Sequence, residues 1–239
     1  MRRNSRFGYI VLILLASSIL LFFFFDRIAI YIFAKGNGLN ISYKEIERRS
    51  TGAFVFKGLS VSEEKSGRGL AADTADIKLG KVTKKLLGGP VRVRFDMHGV
   101  RFITQAKAGT GTAAYDSLTG LVAVPFDGKW SYDSISGTVE RYPDKLLIKD
   151  LLANGKEIRL KISGDIYYNI NSVKLDITAY FSEPVLAKLP RELSGPLLND
   201  ESDGWKSFSV HLSGDLTTPS VSVTGKLFRL NIREIEEAN

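Results

Sequence analysis

The stretch IRLKISGDIYYNINSVKLDITAYF, residues 158–181, decides the fold. Ile158, Leu160 and Ile162 alternate with Arg159, Lys161 and Ser163. After the polar break YNINS (168–172), Val173, Leu175 and Ile177 alternate with Lys174, Asp176 and Thr178. A period of two sends successive side chains to opposite faces of a strand. Two such runs separated by turn-forming residues read as an antiparallel hairpin with one buried and one wet face.

The same period continues outward on both sides. VRVRFDM (91–97) sets Val91, Val93 and Phe95 against Arg92, Arg94 and Asp96. FSVHLSGDL (208–216) aligns Phe208, Val210 and Leu212, and VSVTGKL (221–227) aligns Val221 and Val223. The breaks YPDK (142–145), NGK (154–156) and DLTTP (215–219) are short and rich in turn formers. Two segments have helical spacing instead. KVTKKLL (81–87) is stopped by Gly88, Gly89 and Pro90. EPVLAKLPRELSGPLL (183–198) has Ser182 as a candidate N-cap and Pro184 in its first turn, with Pro190 kinking or dividing it.

The expected fold class is therefore mainly β: an N-terminal transmembrane helix followed by an antiparallel, curved meander sheet, groove-like or sandwich-like, with one or two short helices. A one-sided sheet must hide its apolar face. It can close on itself, be covered by the 183–198 segment, or leave a groove for an apolar ligand, and periodicity leaves all three open. The aligned apolar residues named above, from Val91 to Val223, are the candidate groove residues. Ser-Gly-Asp recurs, at 163–165 and 213–215. Repetition argues for a structural unit, with Gly164 and Gly214 where the strand bends and Asp165 and Asp215 as solvated positions near hairpin ends.

The N-terminus, MRRNSRFGYIVLILLASSILLFFFFDRIAIYIFAKG (1–36), contains an uncharged run of 19 residues at 7–25. About 20 apolar residues span a hydrocarbon core as a helix. Apolar character extends to Ala34, past Asp26 and Arg27. Arg2, Arg3 and Arg6 precede the run and predict a cytoplasmic N-terminus. Four phenylalanines stand where a signal-peptidase site needs small residues, so an uncleaved anchor is expected. The organisation predicted is a basic tail (1–6), an anchor (7–34), a β module (39–125), a second β module (126–230) and a polar tail (231–239). The expected setting is a bacterial inner membrane, single-pass, with the bulk of the chain periplasmic.

The net charge is +7 and there is no cysteine, which removes disulfides, thiol nucleophiles and Cys-based metal sites. Three of the positive charges are the topogenic arginines. Lys81, Lys84, Lys85, Arg92 and Arg94 form a second basic group, expected to meet lipid headgroups rather than nucleic acid. GTGTAA (109–114) lacks the strand before it and the helix after it that a dinucleotide site requires. Two histidines, His98 and His211, are too few and too far apart for a metal cluster. No catalytic residue, metal or cofactor is predicted, and the chain reads as a non-enzyme.

Three segments together resemble one family. FVFKGLSVSEEKSGRGLAADTADIKLGKVTKKLLGGPVRVRFDMHGVRF (54–102) resembles the opening of AsmA-like proteins. SYDSISGTVERYPDKLLIKDLLANGKEIRLKISGDIYYNINSVKLDITAYF (131–181) resembles their repeat, and GPLLNDESDGWKSFSVHLSGDLTTPSVSV (195–223) their C-terminal signature. The resemblance implies a long curved sheet with an apolar channel, tied to phospholipid movement and outer-membrane homeostasis. It also implies phospholipid or another acyl lipid, the inner membrane and envelope proteins as partners. The alternatives are a structural subunit of an envelope machine, like GspN of type II secretion, and an LptC-like lipopolysaccharide relay with a jellyroll.

Overall fold

The structure, a computed structural model, describes residues 30–31, 34–36, 38–80, 90–103, 124–189, 197–216 and 218–226, and the backbone of 229–232. The basic tail, nearly all of the expected anchor, the predicted helix 81–87 and most of the polar tail lie outside the described residues. Among those described, no helix is long and apolar enough to cross a membrane. Residues 30–31 and 34–36 are helical, and Ile30 packs against the core of the sheet domain.

The described residues form one antiparallel sheet of thirteen strands. In chain order these are β1 (Leu39–Ser42), β2 (Glu45–Ser50), β3 (Ala53–Glu63), β4 (Gly69–Leu79), β5 (Val91–Ile103), β6 (Ser131–Arg141) and β7 (Lys145–Asn154). They continue with β8 (Ile158–Tyr167), β9 (Ser172–Phe181), β10 (Asn199–Asp200), β11 (Lys206–Asp215), β12 (Ser220–Thr224) and β13 (Arg229–Ile232). From β3 to β9 each strand pairs with its successor, and β11, β12 and β13 follow beside β9. β1 and β2 share the outer side of β3, while β10 adds two residues to β11. Hydrogen bonding runs from β5 directly into β6. The expected turns are present: Tyr142 N–H donates to Lys145 O (2.8 Å) and Gly155 N–H to Ile158 O (3.0 Å).

Alternation holds within each strand but shifts along one line. Gly58, Asp73, Gly99 and Asp133 lie at the same level of β3 to β6 and are skipped in the paired register. On one side of that line the core receives Phe54 and Phe56, Ala75 and Ile77, Phe95 and Met97, and Ile135. On the other it receives Leu59 and Val61, Leu70 and Ala72, Val100 and Phe102, and Tyr132. Each of the four strands thus absorbs one extra residue in step with its neighbours, so the apolar face stays continuous although its parity changes. A second irregularity lies in β7. Thr138 and Val139 face Asp150 and Ile148, leaving Lys149 as an extra residue. Such bulges bend the strand and increase its twist.

The 183–198 segment is described at 183–189 and 197–198, with Pro190 outside the described residues. Among its described residues α1 (Glu183–Leu186) is the α-helical part, and the chain then tightens into i→i+3 bonds at Lys188 and Leu189. Leu197 and Leu198 form a bend leading into β10. Ser182 does occupy the N-cap with extended backbone, and its carbonyl accepts from Val185 and Leu186, but its hydroxyl makes no capping bond. The segment nevertheless covers the sheet: Val185, Leu189, Leu197 and Leu198 are buried in the core with Leu160, Phe181, Phe208 and Val223. The 3-10 turn Val124–Phe126 adds Val124, and the Tyr132 hydroxyl donates to Pro125 O at 2.6 Å.

Candidate functional site

The registers place all fourteen candidate groove residues on one face. One row runs directly across eight strands: Leu79, Val93, Val139, Ile148, Gly164, Leu175, Leu212, Val221. The next row is Ile77, Phe95, Gly137, Leu151, Ile162, Ile177, Val210, Val223. At a strand spacing of about 4.8 Å, eight strands measure roughly 34 Å along the sheet.

Burial divides this face into a closed half and an open half. Ile158, Leu160, Phe208, Val210 and Val223 are fully buried beneath α1 and the 197–198 bend. They are core packing, so they do not line a groove. Val173 is buried as well. Phe95, Ile177, Leu212 and Val221 are partly buried at the margin of that core. Val93, Ile162 and Leu175 are only half-buried and lie outside the core cluster, and Val91 is 38% exposed. Leu146, Ile148, Val139 and Ile166 complete the open half, and Leu79 at its rim is 42% exposed. These five escape the sequence pattern, four of them on other strands and Ile166 beyond the first hairpin's clean alternation. KLLIKDLLAN (145–154) shows apolar residues on both faces because the bulge at Lys149 switches Leu151 and Ile148 between parities. The polar pair Lys149–Asp150 inside an apolar run is the signal that marks it.

The opposite face is polar and charge-paired. Glu140 on β6 is almost fully buried there, with its carboxylate taking Arg92 (2.6 Å), Lys149 (2.9 Å) and the Tyr142 hydroxyl (3.1 Å). The bonds from Lys149 and Arg92 hold its pKa down at about 2. Arg94 shares this face with Arg92, so the two expected headgroup contacts lie behind the apolar rows, with Arg92 committed to Glu140. Lys81, Lys84 and Lys85 lie outside the described residues.

The two Ser-Gly-Asp copies differ. Gly164 stands across from Leu175, whereas Gly214 stands across from Val173, one pleat nearer the strand end. Asp165 is not simply solvated: it is half-buried and paired with Lys145 at 3.0 Å. Asp215 is exposed and accepts from Asn171 at 3.3 Å. His211 pairs through Nδ1 with Asp176 at 2.7 Å, and Ser222 stands across from His211 on the next strand. These are the residue types of a nucleophilic triad. β12 is laddered on both sides, so its own backbone amides are engaged in pairing with β11 and β13.

Comparison with family models, with curated proteins and with solved structures finds no match to this chain.

Proposed function

We propose that this is a membrane-anchored, AsmA-like lipid-binding protein that holds phospholipid acyl chains against the open half of its apolar sheet face and contributes to outer-membrane biogenesis. The observation that carries the reading is the division of one apolar face. The closed half is capped by α1 and the 197–198 bend, while Ile148, Ile162, Ile166 and Leu175 continue the same rows only half-buried. Each methylene withdrawn from water contributes about 0.8 kcal/mol, so eight methylenes laid on this surface would contribute about 6 kcal/mol. The uncharged run at 7–25 supplies the anchor, and the periplasmic side of an inner membrane is the setting that the preceding arginines support.

The structural-subunit alternative needs an edge that pairs with a partner strand. The β1–β2 edge is short and carries exposed Glu45, Glu47, Arg48 and Arg49, a pattern that discourages pairing.

The test is a photo-reactive amino acid placed at Ile148 or Leu175, with Leu160 as the buried control, irradiated in cells and analysed by mass spectrometry. Lipid adducts at the first two positions and none at Leu160 are expected. Absence of adducts at both Ile148 and Leu175 would sink the proposal.

A further inference from the structure

We infer that the open half of the apolar face is an oriented site for an anionic amphiphile, its head held by Arg141 and its chain running from β6 towards β11. This rests on the lipid-binding reading above and names the head group and direction that reading leaves unspecified. Below the two apolar rows a third runs along the strand ends: Val91, Arg141, Leu146, Ile166, Val173, Gly214. Across all three rows, every position but one is apolar or glycine. Within these three rows Arg141 is the single charge, exposed at the last paired position of β6, and among the described residues no carboxylate pairs with it.

The contrast with the opposite face is the basis of the assignment. Arg92, one strand away, is fixed on Glu140, and Lys145 on Asp165. A guanidinium left open beside exposed apolar surface presents a planar fork of donors suited to a phosphate or carboxylate. Its neighbours, Val91 and Leu146, offer the first methylenes of a chain their contact.

Geometry sets the direction. From β6 towards β4 the row through Val139 and Val93 ends at Leu79, two strand spacings away, about 10 Å. Towards β11 the same row offers Ile148, Gly164, Leu175 and Leu212 over four spacings, about 19 Å, with Ile166 in the adjoining row. A chain filling one leaflet of a hydrocarbon core about 30 Å thick needs roughly 15 Å. Along that row only the second direction accommodates it.

The test uses the full chain in nanodiscs of zwitterionic lipid and two pairs of photo-crosslinking probes: lysophosphatidate with monoacylglycerol, and palmitate with hexadecanol. Labelled residues are read by mass spectrometry. The charged probes should label Ile148, Ile166 and Leu175 more than their neutral counterparts. Arg141→Gln should lower charged labelling about fivefold and leave neutral labelling unchanged, with Arg141→Lys retaining part of the preference. The charged probe that loses more names the head as phosphate or carboxylate. Equal labelling by charged and neutral probes, or an equal fall for both in Arg141→Gln, overturns the assignment while leaving acyl binding standing. If no probe labels the row, both readings fall. An unchanged circular dichroism spectrum for Arg141→Gln separates loss of the head contact from loss of fold.

Discussion

The two Ser-Gly-Asp copies should respond very differently to the same substitution. Gly164 has φ +137° and Gly214 φ +100°, both in the region that side chains with a Cβ rarely enter. Gly→Ala at either position therefore carries a backbone cost of about 1–2 kcal/mol. At Gly214 little is added, because the nearest atom to a new Cβ is Ser220 N at 3.9 Å. At Gly164 the Cβ would overlap the Lys174 carbonyl oxygen and stand 2.9 Å from Leu175 Cα. Those are backbone atoms of the paired strand β9, so relief requires opening the β8–β9 ladder. That should raise the total to about 4 kcal/mol. For a domain of this size 1 kcal/mol moves Tm by about 2–4 °C. Gly214→Ala should lower Tm by roughly 2–8 °C and Gly164→Ala by roughly 8–16 °C. Thermal and urea unfolding of the full chain, followed by circular dichroism, measure both. Equal losses in the two variants would refute the claim that close approach, rather than φ alone, fixes Gly164.

Three further outcomes are expected. Because Lys149 and Arg92 lower the folded-state pKa of Glu140 from 4.5 to about 2, their stabilising contribution is complete above about pH 4.5. It should drain away as pH falls towards 2, so urea midpoints should drop across that window and Glu140→Gln should flatten the drop. Leu160→Ala, in the closed half, should cost about 2–5 kcal/mol of stability. Leu175→Ala in the open half should cost about 1 kcal/mol or less and instead reduce recovered lipid adducts at Ile148. Tyr132→Phe removes a buried hydroxyl bonded to Pro125 O and should cost about 1–2 kcal/mol by denaturant titration, with a native fold retained.

The architecture was legible wherever one residue in two was apolar without interruption. β8, β9, β11 and β12 fall where VKLDIT and its relatives place them, because an unbroken ladder preserves the period. Legibility fails where the backbone absorbs a residue. FVFKGLSV changes parity at Gly58 and FDMHGVRF at Gly99, and each shift is visible as a glycine inside a strand. That the shifts align with Asp73 and Asp133 depends on register, which pairs residues 15 to 34 positions apart in the chain. The open and closed halves could not be separated either. Leu160 and Leu175 have the same local pattern, and only the return of α1 and Leu197–Leu198 over one of them distinguishes the two. Arg141 was invisible for a related reason. In VERYPDK it looks like any charge before a turn, until pairing with Val91 and Leu146 assigns its face.

The near-sequential strand order also bears on how the chain acquires its structure. A polypeptide emerging N-terminus first would offer each strand from β4 to β9 a neighbour that has already appeared. The sheet can then lengthen hairpin by hairpin, closing only short loops at each step apart from the longer β5–β6 connection, which keeps the entropic barrier to each addition low. The exposed growing edge would always be the newest strand. Interruption at any point would leave a shorter sheet of the same kind, with the capping of its closed half, supplied by α1 and the residues leading to β10, among the last events.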